Sequence, residues 1–407
     1  MGLTGIATLI VAVAIVLGFS LSVLLFWGRL DALGRGRWPA RVALLASCQL
    51  SAVLLTALVL NNAFVFYQSW SELLGTHPKQ SRPSAQSGNR DAELGSELLR
   101  HFHAGVGTLV SLPIAGVRSG VRTGPATVYL PPQYGDPASA DRSFPVVELL
   151  SGFPGGPATW THTLHLASVL NTLIDTGRSV PFIAVAPVQN VDSPRDTECV
   201  DVVGGPKVDT YLAFDVRTAV EQAFRASRSG TQWTAMGDST GGYCASDLSM
   251  RHPGMFSAAV SMAGYDAPAH DATTGNLFGK DPELANSYSL LWMAKHRMVS
   301  PLHLLLITTK PDGSPNQQAR MLVSVARPPL ELSRLILPRG GHNFGTFGAE
   351  IPVGFSWLSR FVSAPLAPIP TIDGLSPQVV PYQGGKQPGY RHSGPRLTSE
   401  PTPPPLR

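Results

Sequence analysis

Two long apolar segments dominate the first part of the chain. Residues 3–27 and 42–60 are almost free of charged side chains, and each is long enough to cross a bilayer as an α-helix. Neither shows the polar face of a surface helix. A signal peptide would have a shorter apolar stretch and a cleavage site, whereas here a second apolar segment follows directly. The pattern predicts a transmembrane hairpin over residues 1–67.

The loop between these segments indicates how the hairpin is oriented. It carries one acid, Asp31, and four arginines: Arg29, Arg35, Arg37 and Arg41. Short loops rich in Lys and Arg stay in the cytoplasm. We therefore expect a multi-pass plasma-membrane protein in which everything after Tyr67 lies on the extracytoplasmic side.

A different pattern fills residues 105–363, where short apolar runs alternate with helical periodicity. The runs predict seven strands, at residues 126–130, 145–150, 182–186, 232–236, 257–262, 302–308 and 332–337. Helices are predicted at residues 210–226, 242–251, 317–326 and 351–362. This alternation is typical of an α/β fold with a mainly parallel sheet covered by helices on both faces. In such sheets the chemistry gathers at the carboxyl ends of the strands.

The two segments that flank this block have no such periodicity. Residues 68–104 contain a long polar stretch and read as an extracytoplasmic linker. Residues 364–407 are rich in Pro and Gly and have almost no aliphatic pattern, so we expect a disordered tail.

Charge and cysteine content narrow the partners and the compartment. The net charge of +4 is small for 407 residues, so no polybasic surface for nucleic acid is expected. Cys48 lies in the second apolar segment, which leaves Cys199 and Cys244 together in the domain, where an oxidising exterior would let a disulfide persist. Sequence alone leaves open whether these two cysteines are paired.

A candidate nucleophile follows the strand at residues 232–236. The next residues read Gly237-Asp238-Ser239-Thr240-Gly241, and a helical pattern resumes after them. This is the G-x-S-x-G turn, in which glycines two positions on either side leave room for a strained serine. The motif is short enough to arise by chance, and a glycine-rich loop closing a βαβ unit is the alternative. The flanking strand and helix favour the nucleophile.

His342 is the candidate base. It lies in Gly340-Gly341-His342-Asn343, between the last predicted strand and the last helix, where a loop can bring an imidazole over the serine. The other histidines of the second half of the chain are less well placed, because they lie in a helix end, an irregular segment, a strand and the tail: His252, His270, His303 and His392.

The candidate acid is Asp312, at the carboxyl end of the predicted strand at 302–308, one strand before the histidine. It would fix the imidazole tautomer and stabilise the imidazolium. Pro311-Asp312-Gly313 is also a common turn sequence, so a purely structural role is the alternative. Asp266, after the preceding strand, is the second candidate.

Two backbone N–H groups are expected to form an oxyanion hole. One belongs to Thr240, the residue after the serine, and the other to the glycine-rich loop after the strand at 145–150. In that loop Phe153 is the candidate donor, because Pro154 has no N–H.

These residues resemble a known family, the esterases that include esterase D and the antigen 85 mycolyltransferases. The resemblance rests on Tyr-Leu-Pro-Pro at 129–132, Leu-Leu-Ser-Gly at 149–152, the serine turn and Gly-Gly-His-Asn at 340–343. It implies an α/β-hydrolase fold, no metal or cofactor, and a triad of Ser239, Asp312 and His342. Two positions depart from the family, since relatives often have His or Asp at Ser151 and Met at Thr240.

A narrower likeness concerns membrane-anchored esterase-like proteins of actinobacteria. It is carried by the two-helix start and by three short stretches: Asn-Asn-Ala-Phe at 61–64, Asp-Thr-Glu-Cys at 196–199 and Gly-Gly-Tyr-Cys at 241–244.

The expected activity is acyl transfer from an ester of an envelope lipid or glycolipid to water or to a sugar hydroxyl. Residues 265–290 are expected to form a lid or acyl-binding wall, with four apolar candidates: Phe278, Tyr288, Leu290 and Leu291. Packing in the core is the alternative for each of them. Two other functions stay open: a non-catalytic wall-binding protein on a hydrolase scaffold, and a serine peptidase of the same fold.

Overall fold

The computed structural model describes residues 6–64, 106–297, 301–365 and 380–381. The predicted linker at 68–104 and nearly all of the predicted tail at 364–407 lie outside these residues. The described part of the chain comprises a helical hairpin and an α/β domain.

The hairpin consists of helix α1 (Ile6–Phe26) and helix α2 (Arg37–Phe64), joined by a short 3-10 segment. Arg41 closes the turn, because its guanidinium donates to the Trp27 carbonyl at 3.1 Å and to Asp31 at 2.9 Å. Large apolar side chains such as Leu24, which is 79% exposed, cover both helices. Both are long and apolar enough to cross a membrane, and an anchor and a signal sequence both meet these requirements.

One sheet organises the α/β domain. Its strands are β1 (Thr108–Leu112), β2 (Ala126–Leu130), β3 (Val146–Leu150), β4 (Ile183–Ala186), β5 (Trp233–Asp238), β6 (Ala258–Met262), β7 (Leu302–Thr309), β8 (Leu330–Leu337) and β9 (Val380–Pro381). The strand order is β8-β7-β6-β5-β3-β4-β2-β1-β9. Strands β3 to β8 are parallel, and β2 runs antiparallel to β1 and β4. The prediction of an α/β fold with a mainly parallel sheet is therefore confirmed.

Helices cover both faces of the sheet. They are α3 (Leu166–Asp175), α4 (Arg217–Ala223), α5 (Thr240–Arg251), α6 (Pro282–Ser287), α7 (Leu290–His296), α8 (Ser314–Val325) and α9 (Phe344–Leu358). Alternate residues of the central strands face opposite sides, so Val146 and Val147 belong to two separate apolar cores. Helices α3 and α9 close one core, and α5, α7 and α8 close the other. Burial on both faces explains why these strands read as continuous apolar runs.

The structure contains all seven predicted strands and adds elements that the sequence pattern did not show. Strands β1 and β9 and helices α3, α6 and α7 are among these elements, and the last helix starts at Phe344 rather than at residue 351. Short helices such as α6 carry too few turns to display a 3.6-residue period. The segment expected to be a lid, residues 265–290, therefore contains helix α6 and ends where helix α7 begins.

Two of the residues expected to line an acyl pocket are instead core residues. Tyr288 is 4% exposed and Leu290 is 2% exposed. Tyr288 packs against Phe278 at a ring-centroid distance of 5.3 Å, in a small apolar cluster with Val200 and Leu277. Leu290 belongs to a main core, so the alternative of core packing holds at these two positions.

Candidate active site

Ser239 lies in a tight turn between strand β5 and helix α5. Its φ of +54° and ψ of −122° are strained for a residue with a side chain. A Cβ atom on Gly241 would lie 2.1 Å from the Leu150 carbonyl oxygen, and one on Gly237 would lie 2.1 Å from the Gly241 carbonyl oxygen. Only glycine fits at either position, so the turn brings the start of α5 directly against the end of β3.

The structure brings His342 to this serine. Its Nε2 atom lies 2.7 Å from Ser239 Oγ, although 103 residues separate the two along the chain. The neighbouring residue Asn343 caps helix α9 by accepting a hydrogen bond from the Thr346 N–H at 3.0 Å, and the His342 ring contacts the edge of Phe347. Loss of hydration lowers the pKa of His342, and the negative charge of Asp312 opposes this shift.

Of the two candidate acids, Asp312 is the one whose charge acts on His342. Its Oδ2 atom accepts a hydrogen bond from the Thr309 N–H at 2.7 Å, while its Oδ1 atom is buried and has no partner among the described residues. Asp266 has a different task, because its oxygens accept from the Leu291 N–H at 2.7 Å and from the Ser289 hydroxyl at 2.9 Å. Asp266 thus fixes the start of helix α7.

Two further carboxyl groups lie behind this site, and the sequence pattern did not reveal either. Burial raises the pKa of Glu350 to about 8, and the charges of Asp312 and Asp238 add to the shift. Burial likewise raises the pKa of Asp238 to about 7. Both oxygens of Glu350 lack hydrogen-bond partners within the described chain. Glu350 is therefore mainly protonated at neutral pH and does not compete with Asp312 for charge.

The loop after β3 leaves one backbone N–H group free. Four others are engaged: Ser151 with Gln189 Oε1 at 2.8 Å, Gly152 with Asp238 Oδ2 at 3.2 Å, Gly155 with the Gly152 carbonyl at 2.7 Å, and Gly156 with Thr159 Oγ1 at 3.2 Å. Pro154 has none to offer. The Phe153 N–H therefore remains without a partner among the described residues, in a loop where a Cβ on Gly152 would lie 3.0 Å from Ser239 Cβ.

Two side chains that the sequence did not single out hold this loop in place. Gln189 pairs with both the N–H and the carbonyl of Ser151, and Asn190 donates to the Gly155 carbonyl. Both residues follow strand β4, the neighbour of β3 in the sheet. Their position at a strand's carboxyl end was the available sequence signal.

Thr240, the first residue of helix α5, offers a second N–H group, because the first turn of a helix has no internal acceptors for its donors. Its side chain meets two partners: Tyr265 at 3.0 Å and Asp196 at 3.3 Å. A disulfide between Cys199 and Cys244 joins the segment that carries Asp196 to helix α5. The cysteines that sequence left undecided are thus paired beside the serine turn.

The close approach at the serine turn leads to a test of stability. Replacing Gly241 with Ala should reduce the free energy of unfolding by about 1–3 kcal/mol, because the added methyl group meets the Leu150 carbonyl rather than a movable side chain. Chemical denaturation of the full chain in detergent measures the change. Gly156→Ala is the matched control, since its methyl group would meet no atom within 4 Å. Equal stability of the two variants would contradict the packing described here.

The sequence of the α/β domain matches a known protein family. Residues 122–322 match the model of the family described as Putative esterase, a range that includes Ser239 and Asp312 and ends before His342. An uncharacterized protein of Corynebacterium glutamicum is 24% identical over 330 residues, which are 78% of this chain and 76% of that protein.

Solved structures with the same fold include two esterase-type enzymes. A ferulic acid esterase superposes with a TM-score of 0.54 at 16% identity, covering 63% of this chain and 99% of its own. An S-formylglutathione hydrolase from Agrobacterium tumefaciens gives a TM-score of 0.52 at 16% identity, covering 63% of this chain and 95% of its own. These likenesses show the fold, and the family match adds the class of reaction. The α/β domain of this chain belongs to the Putative esterase family and is a hydrolase of the α/β-hydrolase fold with a serine nucleophile.

Proposed function

We propose that the chain is a membrane-anchored, extracytoplasmic serine esterase or acyltransferase, with Ser239 as nucleophile, His342 as base and Asp312 as acid. The observation that carries this proposal is the 2.7 Å contact between Ser239 Oγ and His342 Nε2 at a strained turn. A serine hydroxyl becomes a useful nucleophile when a neighbouring base removes its proton. The same contact favours catalysis over a purely wall-binding role.

The reaction follows from the positions of the proton and the carbonyl. His342 Nε2 takes the hydroxyl proton while Ser239 Oγ bonds to the ester carbonyl carbon, and the carbonyl oxygen becomes an oxyanion. The N–H groups of Thr240 and Phe153 stabilise that charge. The intermediate then expels the alcohol, which takes its proton from His342, and leaves an acyl-serine. Water or an acceptor hydroxyl releases the acyl group by the same steps.

Asp312 acts through the imidazole. When Nε2 accepts the proton of Ser239, Nδ1 carries the proton of the neutral ring, and it needs an acceptor. We infer that Asp312 supplies this acceptor, because its Oδ1 atom has no other partner among the described residues and its charge acts on His342; the carboxylate charge also stabilises the imidazolium that forms during the reaction. Asp312 thus selects the tautomer that leaves Nε2 facing the serine.

The substrate class follows from the hairpin. Two adjacent apolar helices with an arginine-rich turn form a multi-pass anchor whose turn stays in the cytoplasm. The Cys199–Cys244 disulfide fits an oxidising exterior. An esterase domain tethered at that surface meets acyl esters of envelope lipids or glycolipids, and the acceptor is water or a sugar hydroxyl. The two solved structures of the same fold are named a ferulic acid esterase and an S-formylglutathione hydrolase, which supports hydrolysis of an acyl compound and leaves the lipid substrate to rest on the hairpin.

Active-site labelling tests the nucleophile. The full chain in detergent should react with a fluorophosphonate probe and hydrolyse a p-nitrophenyl acyl ester, and Ser239→Ala should lose both activities, with a fall in kcat of at least about 10³-fold. Ser249→Ala, a buried serine elsewhere on helix α5, serves as the control and should still label. A chain that folds but never labels would refute the enzyme assignment. Cleavage of peptides but not of acyl esters would point to a peptidase.

The pH dependence of kcat/KM tests the acid. His342 must be neutral to act as base, and its pKa is lowered, so the acidic limb of the profile should lie below the usual histidine pKa of about 6.5. Asp312 raises that pKa, hence Asp312→Asn should move the limb to still lower pH. It should also reduce kcat by about 10²–10⁴-fold.

The matched control for this test is Asp266→Asn. That substitution should weaken the start of helix α7 and leave the acidic limb where it is, because the bonds of the Asp266 carboxylate within the described chain all go to that helix start. The roles of the two acids would be reversed if Asp266→Asn moved the limb and Asp312→Asn did not.

A reporter fusion tests the topology. Alkaline phosphatase fused after Leu74 should be active, because it folds only outside the cytoplasm, while green fluorescent protein at the same position should stay dark. A fusion within the arginine-rich turn at residues 29–36 is the control and should give the opposite pair of results. A fluorescent fusion after Leu74 would overturn the extracytoplasmic placement.

A further inference from the structure

Four polar side chains form a line of contacts that passes through Thr240, the residue after Ser239. The oxygen atoms of Glu198 and Tyr265 lie 2.5 Å apart, those of Tyr265 and Thr240 lie 3.0 Å apart, and those of Thr240 and Asp196 lie 3.3 Å apart. Both acids are almost completely buried, Glu198 at 1% and Asp196 at 4% exposure. The line ends on two carboxyl groups, and one of its two inner members, Thr240, is an expected oxyanion donor.

The line needs one proton more than its two hydroxyl groups supply. Three contacts between oxygen atoms need three protons, and the two hydroxyl groups supply only two. If both carboxyl groups were ionised, one contact would hold two oxygens together without a proton. One additional proton on the pair of acids satisfies every contact, with each group donating once along the line.

The remaining bonds indicate where that proton lies. Glu198 Oε1 accepts a hydrogen bond from the Ala269 N–H at 3.1 Å, and Asp196 Oδ1 accepts one from the Glu198 N–H at 2.9 Å. The proton is therefore excluded from these two oxygens and lies on an oxygen within the line, on Glu198 Oε2 or Asp196 Oδ2.

We propose that Glu198, Tyr265, Thr240 and Asp196 form a proton-sharing relay that positions the oxyanion donor Thr240, and that the relay needs one proton held by the two acids. Glu198, Tyr265 and Asp196 are positioning residues, since only Thr240 among the four touches the reacting atoms. This inference rests on the proposed function, because it assigns a role to residues around the proposed oxyanion hole.

The surrounding charges favour retention of the proton. The titratable groups acting on the two acids are each other, the Asp271 carboxylate and the phenols of Tyr265 and Tyr243. The guanidinium of the adjacent Arg195 is bonded to the carbonyls of Thr274 and Asn276 and to Asp192. Burial and then the charge of Asp196 raise the pKa of Glu198 to about 8, and burial also raises the pKa of Asp196.

Loss of the shared proton has a direct consequence for Thr240. With both acids ionised, each carboxylate attracts the proton of the hydroxyl beside it, Glu198 that of Tyr265 and Asp196 that of Thr240. The contact between Tyr265 and Thr240 then has no proton, so the Thr240 side chain is no longer held from both sides. A displaced oxyanion donor lowers kcat rather than substrate affinity, because it acts on charge that exists only in the transition state. The relay thus predicts an alkaline loss of activity that begins near the pKa of Glu198.

The test compares kcat for a p-nitrophenyl acyl ester at pH 7 and pH 9, with the uncatalysed rate subtracted and circular dichroism confirming the fold at both pH values. For a pKa of about 8, the protonated fraction falls about tenfold between these pH values, so the wild-type kcat should fall by a similar factor. Glu198→Gln has an amide that donates to Tyr265 without titrating. Its ratio of kcat at pH 7 to kcat at pH 9 should be below about twofold.

A second variant separates the relay from a simple effect of charge. Tyr265→Phe keeps a ring stacked on Tyr243, whose centroid lies 5.3 Å away, and removes only the hydroxyl that connects Glu198 to Thr240. The relay predicts a lower kcat and a flat alkaline profile, although Glu198 can still ionise. The control is Glu283→Gln, an exposed acid on helix α6, which should keep the wild-type tenfold ratio.

The outcomes are distinct. A wild-type chain that neither labels with fluorophosphonate nor turns over the ester removes the proposed function and this inference together. A wild-type chain that is active, with an alkaline loss that is unchanged in Glu198→Gln or that persists in Tyr265→Phe, overturns the relay alone. A wild-type profile that is flat from pH 7 to pH 9 also overturns it.

Discussion

The contact between helix α5 and the end of strand β3 determines the geometry of the whole site. At Gly241 the helix lies so close to the Leu150 carbonyl that no side chain fits between them. This packing holds Ser239 in its positive-φ conformation and keeps the serine beside the loop that follows β3. The strain at one residue, on the order of 1–3 kcal/mol, is sustained by the fully buried strands on either side. Ser239 and the loop that follows β3 are thereby held in a fixed position relative to each other.

Burial also decides which acids near the site carry charge. Glu350 and Asp238 have pKa values raised to about 8 and about 7 because they are enclosed by the core. Asp312 is only partly buried, at the end of β7, and its Oδ2 atom already accepts a backbone hydrogen bond. Among the carboxyl groups of the site, Asp312 is the one whose negative charge acts on the His342 imidazole. The same principle, burial that favours the neutral acid, applies on the other side of the serine at Glu198.

Sequence patterns were informative wherever one residue type is required at a fixed spacing. The strand and helix around Ser239 could be predicted because G-x-S-x-G needs glycine at two defined positions, and His342 could be predicted from its place after the last long strand. The residues that hold these groups could not be predicted in the same way. Gln189 and Asp196 contact residues 38 and 44 positions away, and such contacts depend on which strands are neighbours in the sheet. A local sequence pattern does not show which strands are neighbours. Short helices such as α6 have too few turns to show a helical periodicity.

The Cys199–Cys244 bond connects the loop that carries Asp196 and Glu198 to helix α5. Cys199 is the residue after Glu198, and Cys244 lies on the helix four positions beyond Thr240. One covalent link thus ties the segment of the two acids to the helix that begins with Thr240. The covalent link therefore limits how far the loop of Asp196 and Glu198 can move from the first turns of helix α5, in addition to the hydrogen bond between Thr240 and Asp196.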